Sequence, residues 1–423
     1  MRCWPGRCNK PLFTLLDATD SQIVDAEFGQ AGYNAAKVYN DFDGVFPAVA
    51  RSADGVPSTR IWRNALRKTL CKSITQAKSA SLSGPSVSSR KEQMAAFGSV
   101  FMPEMAMAQF DGNAWGPSAI VPANSISLHP GAHVLHYAST CFEGLKAFRH
   151  EDGTIAIFRM DKNIARMLQS SELLSLPKFE PALLSQMIVD AVRHFAADVP
   201  TPPGSMYIRP THIGTEPAIG KAATPTLTSM LYVLLSPVGD YFAGGSRALR
   251  LLLEDNARCA PHMGMIKSGG NYASALQPTM QAKAKHQADQ VLFCPHGDVQ
   301  ETGAANFLLI DGNEIITKAL DASFLHGVTR DSILTLARDL GMTVSERDLT
   351  VDELLERAAK PGTEAALSGT AAVLAPVGTL IHRGTEYKVG SGEPGPTTAR
   401  LRQALNDIQW GKAEDKHGWL TKI

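Results

Sequence analysis

Lys267 is the residue of this chain best suited to covalent chemistry. It follows the apolar run 263–266 and precedes Ser268-Gly269-Gly270, where the glycines let the backbone approach a flat ligand closely. Burial lowers the pKa of a lysine and supplies the neutral amine that attacks a carbonyl group. A solvated surface charge is the ordinary role of a lysine, but the apolar residues before Lys267 favour the chemical one.

Further polar and aromatic candidates lie in other parts of the chain. Thr329 begins a predicted helix, where free N–H groups and the positive end of the helix dipole attract an anion, although a threonine there also serves as a simple N-cap. The candidates fall in four patches: 136–149, 207–210, 267–272 together with 301–307, and 327–330 together with 368–372. A functional site built from them requires a fold that brings distant parts of the chain together.

Hydrophobic patterns predict the elements that carry these patches. One helix begins at an Asp161 cap, another runs from a Thr329 cap to Gly341, and we expect Pro278 to kink or restart a third at 271–288. Strands and helices alternate without a regular βαβ repeat, which predicts an α+β fold. The predicted strands are 155–158, 206–213, 230–235, 249–253, 290–293, and a hairpin of 306–310 with 314–317 around Asp311-Gly312.

Together, the order and separations of the four patches resemble those of the branched-chain amino acid aminotransferases, which are fold-type IV (class IV) pyridoxal-phosphate enzymes. The resemblance covers residues 97–423. It implies a two-domain α+β fold similar to that of D-amino acid aminotransferase, and a homodimer. The implied parts are a small α+β domain at 97–236, a linker at 237–245 and a large domain at 246–423 that binds pyridoxal 5'-phosphate.

The resemblance also gives individual residues a role. It implies that Lys267 forms a Schiff base with pyridoxal phosphate and moves a proton, that Tyr272 hydrogen-bonds the phenolic oxygen, and that Glu301 faces the pyridine nitrogen. At ~4 Å and an effective dielectric near 20, such a carboxylate favours a protonated ring by about 4 kcal/mol; an exposed loop glutamate is the alternative. The resemblance further implies that the cofactor phosphate is received by Arg166, Val328, Thr329 and Thr370. The substrate is received by Tyr137, Phe142, Tyr207, Arg209 and the backbone of Thr370 and Ala371.

Two of these assignments have ordinary alternatives. The aromatic residues Tyr137, Phe142 and Tyr207 are equally suited to a hydrophobic core, and Arg209 in a strand could simply pair with an acidic side chain. Only the family context favours a substrate pocket.

The implied activity is reversible transamination of L-leucine, L-isoleucine or L-valine with 2-oxoglutarate, which gives branched 2-oxo acids and L-glutamate. Another fold-type IV enzyme, a D-amino acid aminotransferase or an aminodeoxychorismate lyase, is an alternative, and a non-catalytic interaction protein is a more distant one. The motifs Tyr207-Ile208-Arg209-Pro210 and Phe142-Glu143-Gly144-Leu145 favour the branched-chain activity.

Composition excludes several other classes. The 423 residues contain 41 basic and 41 acidic side chains, a balance that argues against a dedicated nucleic-acid binder. The six cysteines form no CxxC pair and no zinc-type cluster, so we expect a reduced compartment and no metal site. No apolar run approaches the ~20 residues that span a membrane.

The N-terminal 95 residues differ from the rest. They contain 13 basic and 8 acidic side chains, against 28 and 33 in residues 96–423. The Ser-, Arg- and Lys-rich stretch 51–92 predicts disorder broken by a marginal helix at 61–74. Residues 1–95 are therefore expected to be a dispensable extension, absent if translation begins at Met94, or a presequence. The first case predicts a cytoplasmic protein and the second a mitochondrial or plastid one.

Overall fold

A computed structural model of the chain describes residues 97–241, 245 and 247–423. They fall within one compact unit, Glu92–Ile423. The predicted extension at 1–95 and its helix at 61–74 lie outside the described residues. The described residues form sixteen β-strands and seven α-helices, numbered in chain order below.

The first sheet contains eight strands, all paired antiparallel. Their order is β16-β5-β4-β6-β7-β1-β2, with β3 paired to β6. The strands are β1 (Glu104–Phe110), β2 (Ala119–Pro122), β3 (Thr140–Phe142), β4 (Leu145–Arg149), β5 (Ile155–Phe158), β6 (Ser205–Gly214), β7 (Ser229–Val238) and β16 (Leu420–Lys422). Three helices lie between these strands in chain order: α1 (His133–Tyr137), α2 (Met160–Leu173) and α3 (Pro181–His194).

The second sheet also contains eight strands, with both parallel and antiparallel pairs. Their order is β12-β11-β10-β13-β14-β8-β9, with β15 paired to β14. The strands are β8 (Leu249–Glu254), β9 (Gln290–Phe293), β10 (Asn306–Asp311), β11 (Glu314–Thr317), β12 (Thr343–Glu346), β13 (Glu364–Gly369), β14 (Val373–His382) and β15 (Thr385–Lys388). The helices are α4 (Gly269–His286), α5 (Val328–Asp339), α6 (Val351–Ala358) and α7 (Pro396–Gln409).

Amphipathic helices cover the sheets. In α3, apolar residues recur at helical spacing, at Leu184, Met187, Ile188 and Ala191, and all four are buried in a core shared with α2 and the first sheet. A further core combines Phe158 of the first sheet with residues of α5, α7 and the second sheet. The sheets therefore share apolar packing.

The predicted α+β fold and the predicted strands are confirmed. Gly312 has a positive φ of 61° in the hairpin turn, and Gly341 has a φ of 78° after the last residue of α5, as predicted. In the described part of the chain, no helix has the length and apolar character that a membrane span requires.

Two predicted helix caps are wrong, and a third prediction is wrong in part. Arg159, in a left-handed conformation, is the N-cap of α2, so Asp161 lies in the first turn of the helix and does not cap it. Gly327 is the N-cap of α5, and Thr329 is its second helical residue. The helix α4 continues through Pro278 from Gly269 to His286, so the predicted restart does not occur, and the predicted kink stays a prediction.

The predicted linker at 237–245 begins too early. Pro237 and Val238 belong to β7, where they pair with Met206 and Ser205 of β6. The C-terminal strand β16 also pairs with β5 in the first sheet. The division into domains at 97–236 and 246–423 stays a prediction. It assigns β16 to the second domain, although β16 pairs with a strand of the first sheet.

Candidate active site

Lys267 lies directly before the N-cap of α4, and its backbone is fixed by two other elements. Its N–H donates to the Ser170 hydroxyl of α2 at 3.2 Å, and its carbonyl accepts from the Phe142 N–H at the end of β3 at 3.0 Å. Its amine donates to the Tyr272 hydroxyl at 2.7 Å, and the amine nitrogen lies 5.2 Å from the Phe142 ring centre. The fold thus brings together three predicted site residues, Lys267, Tyr272 and Phe142.

Glu301 is a buried carboxylate with several partners. Its Oε1 lies 2.6 Å from the Arg258 guanidinium and accepts from the Leu325 N–H at 2.9 Å, while Oε2 accepts from the Asn306 amide at 3.2 Å. Burial raises the pKa of Glu301 to about 7, against the opposing effects of Arg258 and of the Leu325 N–H. A carboxyl group with a pKa near 7 is suited to pair with a ring nitrogen that carries a proton.

The charges of Lys267 and Arg166 also act on Glu301, because both lower the pKa of its carboxyl group. The predicted nucleophile, the predicted phosphate ligand and the predicted ring partner therefore belong to one electrostatic environment. Glu301 is not the exposed loop glutamate that the sequence left open, since only 3% of its surface is exposed.

Arg166 on α2 is buried and held by Glu143. Its Nε and Nη2 donate to the two carboxylate oxygens of Glu143 at 2.7 and 2.8 Å, and its Nη1 donates to the His326 carbonyl at 2.8 Å. A guanidinium has five N–H donors, and these contacts use three of them. The edge of the guanidinium that carries Nε and Nη2 is thus turned toward Glu143, while the His326 contact holds Arg166 beside the start of α5.

The start of α5 adjoins the turn between β13 and β14. Gly327 is required there, because a Cβ atom at this position would lie 2.0 Å from the Asn306 amide oxygen. Val328, Thr329 and Thr370 line the same small cavity, of about 10 Å³. The Thr370 hydroxyl donates its one hydrogen to the Gly144 carbonyl at 2.9 Å, so in this arrangement the donors available at the turn are backbone N–H groups. The first N–H groups of a helix have no partner within it, so they offer donors to an anion at this corner, where the present space is about that of one water molecule.

The strand β6 presents Tyr207 and Arg209 to a second cavity, of about 190 Å³. The Arg209 guanidinium donates to the Tyr207 hydroxyl at 2.8 Å and lies 4.6 Å from the Phe142 ring centre. Phe97 completes this aromatic wall, with its ring centre 5.0 Å from that of Tyr207. A Cβ atom at Gly144 would lie 2.1 Å from the Tyr207 hydroxyl, so only glycine leaves the tyrosine in place.

Tyr137 is not brought to this wall. Its hydroxyl donates to the Ile219 carbonyl, and its ring lies 4.8 Å from that of His133. In the described chain these contacts place it against the loop after β6, outside the lining of the 190 Å³ cavity. Its predicted role in substrate binding stays a prediction.

Comparison with known proteins identifies the family. A family model described as "Amino-transferase class IV" matches residues 140–380. The chain is 40% identical over 337 residues to a Streptomyces coelicolor protein named "Probable branched-chain-amino-acid aminotransferase", covering 77% of this chain and 92% of that one. The chain belongs to the branched-chain-amino-acid aminotransferase family.

Two further likenesses agree with this assignment. The aminotransferase is 38% identical over 347 residues to the cytosolic branched-chain-amino-acid aminotransferase of Saccharomyces cerevisiae, covering 77% of this chain and 91% of that one. It also matches a crystal structure of a T.th. branched-chain amino acid aminotransferase with pyridoxamine 5'-phosphate, at a TM-score of 0.63 and 28% identity. That match covers 78% of this chain and 99% of the other, and the fold is of type IV.

Four residues of the aminotransferase site were missed by sequence reasoning. Glu143 carried a signal, because it is the one acidic residue in the patch 136–149. Arg258, Asn306 and Phe97 carried none that stands out locally, since their roles depend on contacts with residues distant in the sequence.

Removing one charge of the Arg166–Glu143 pair should be costly. Glu143→Gln leaves a buried guanidinium facing a neutral amide, and we expect the free energy of unfolding to fall by about 3 kcal/mol. Urea unfolding of the cofactor-free protein measures it. The double variant Glu143→Gln with Arg166→Met leaves no unpaired charge and should be less destabilised than the single variant. A single variant as stable as the wild type would contradict the pairing.

Proposed function

We propose that this aminotransferase moves the amino group reversibly between L-leucine, L-isoleucine or L-valine and 2-oxoglutarate, with pyridoxal phosphate attached to Lys267. The observation that carries the proposal is the contact of the Lys267 amine with the Tyr272 hydroxyl, in the same electrostatic environment as the buried Glu301. The names of the relatives at 38–40% identity support the branched-chain substrates.

The described residues fit this cofactor in their chemistry. An amine, a buried carboxylate with a pKa near 7 and a helix start beside an arginine match its aldehyde, ring nitrogen and phosphate. When bound, pyridoxal phosphate supplies a carbonyl that takes up the amino group and a ring that delocalises negative charge. The residues that would hold it are Arg166, Lys267, Tyr272, Glu301, Val328, Thr329 and Thr370.

The residues of this chain supply binding and proton transfer. Lys267 anchors the cofactor and, once displaced by the substrate amine, its own amine moves the proton from the substrate α-carbon. Glu301, as a carboxylate, holds a proton on the ring nitrogen. The backbone of Thr370 and Ala371 receives the substrate carboxylate, and Phe142, Tyr207 and Arg209 receive its side chain or the second carboxylate of 2-oxoglutarate.

A spectrum and a turnover assay test the proposal together. The purified full chain should absorb in the visible range, and L-leucine should shift that absorbance. With 2-oxoglutarate present, L-leucine should yield L-glutamate, whereas D-alanine should not react. An unshifted spectrum, or a preference for D-alanine, would refute the proposed function, and the second result would favour a D-amino acid aminotransferase.

The Tyr272 hydroxyl should matter for rate more than for attachment. Tyr272→Phe removes the contact with the Lys267 amine, and a hydrogen bond to a charged group is worth enough to lower kcat by about 10- to 100-fold. Steady-state kinetics measure kcat, and borohydride reduction followed by mass spectrometry shows whether the cofactor is still attached. Tyr387→Phe on β15, outside the site, serves as the control. Unchanged kcat in Tyr272→Phe would remove this tyrosine from the mechanism.

Assembly and location complete the proposal. A homodimer is also proposed. Leu135, Ile219 and Leu227 are apolar side chains, each more than half exposed, that a partner subunit would cover; light scattering on the purified protein tests the assembly. A cytoplasmic location is proposed, or a mitochondrial or plastid one if residues 1–95 act as a transit peptide. Mass spectrometry of the native N-terminus distinguishes these cases.

A further inference from the structure

Lys146 links the two sheets at the turn proposed to receive the substrate carboxylate. It lies on β4, and its amine donates to the Ala371 carbonyl at 3.0 Å. In the opposite direction, the Thr370 hydroxyl donates to the Gly144 carbonyl at 2.9 Å. The start of β4 therefore holds both residues of the turn between β13 and β14.

The ammonium group of Lys146 is largely removed from water. Burial lowers its pKa to about 8, and the charge of Asp240, which follows β7, opposes this effect. The titratable groups facing it are Tyr207, its partner in β6, and Arg209 beyond it on the same strand. The Phe97 ring centre lies 6.0 Å from the amine nitrogen. An ammonium in such surroundings attracts an anion more strongly than one in water does.

We propose that Lys146 is a positioning residue that orients the Thr370–Ala371 turn through the Ala371 carbonyl and selects ligands with a carboxylate at that turn. The inference rests on the proposed function, in which this turn receives the carboxylate of the amino acid. One of the three N–H groups of the ammonium holds the turn. The ammonium is held next to the turn proposed to receive the carboxylate, so its charge favours an acid over a neutral ligand of the same shape.

The charge state of Lys146 gives the selection a pH dependence. A bound carboxylate stabilises the ammonium, so binding raises the pKa of Lys146 above its value of about 8 in the protein without ligand. The contribution is therefore complete below pH 8 and is lost as the pH rises above 8. An arginine at this position would keep its charge throughout that range.

Two probes of equal shape separate charge from packing. They are 4-methylvaleric acid, which is leucine without its amino group, and the neutral 4-methylvaleramide. Binding to the full-length holoenzyme is followed by calorimetry. We expect Lys146→Met to weaken binding of the acid at pH 7 about tenfold more than binding of the amide, because loss of the turn contact affects both ligands and loss of the charge affects only the acid. Lys162→Met, at an exposed position of α2, is the matched control and should bind both as the wild type does.

The pH profile provides a second measurement that does not depend on one variant folding well. The ratio of the wild-type affinities for the acid and the amide should fall above pH 8. In the Lys146→Arg variant this ratio should stay constant over the same range. Equal preference of the wild type for acid and amide, or no binding of the acid, overturns the inference. So does a Lys146→Met protein with wild-type affinity and profile. Failure of the wild type to act on L-leucine instead overturns the proposed function, and leaves the preference for the acid as a separate result.

Discussion

Lys267→Ala should lower the rate of transamination from L-leucine by about 10⁴-fold or more and abolish covalent attachment of the cofactor. The amine is the group that contacts the Tyr272 hydroxyl, and its backbone is fixed by Ser170 and Phe142. Alanine leaves these backbone contacts intact because they use only main-chain atoms of residue 267. The variant therefore removes the chemistry and keeps the local fold.

Trapping and kinetics check this expectation separately. Borohydride reduction of the wild type should leave cofactor mass on the peptide that contains Lys267, and the variant should show none on any lysine. Lys283→Ala, at an exposed lysine of α4, should retain both activity and labelling. Added methylamine should restore a small part of the lost rate, because it replaces the missing proton carrier. Cofactor found on another lysine, with activity retained, would exclude Lys267 as the anchor.

Local chemistry determines how much of this fold can be predicted from sequence. The hairpin β10–β11 follows from two apolar runs around Asp311-Gly312, and the end of α5 follows from Gly341, because both signals act within a few residues. Helix starts were less predictable. Arg159 and Gly327 cap α2 and α5 without side-chain hydrogen bonds, so the usual capping residues Asp161 and Thr329 each indicated a start two positions too far along the chain.

In the candidate site, too, residues with local signals were predictable and residues that depend on distant contacts were not. Lys267 was predictable because the apolar residues before it and the glycines after it are close to it in sequence. The partners that tune the site were not, since Arg258 is 43 residues from Glu301 and Lys146 is 225 residues from Ala371. Their charges matter only when burial removes water from around them. A sequence shows which groups exist, but the pairing of buried charges depends on strands that meet only in the folded chain.

The second large effect is expected at Glu301. Glu301→Gln keeps the shape of the side chain and removes its charge, so the ring nitrogen loses its anionic partner. A carboxylate at ~4 Å is worth about 4 kcal/mol, which corresponds to roughly a 10³-fold fall in kcat. Attachment of the cofactor to Lys267 should persist, because that bond does not involve Glu301. Glu393→Gln, an exposed glutamate before α7, is the control.

A loss of activity in Glu301→Gln must be separated from a loss of stability. The amide leaves the buried Arg258 guanidinium without its carboxylate, which is itself destabilising. Adding Arg258→Met removes the unpaired charge, so the double variant should regain stability in urea unfolding while its kcat remains about 10³-fold low. Recovery of kcat together with stability would show that Glu301 serves the fold and not the ring. Persistence of the rate defect in a stable protein would place its effect on the chemistry.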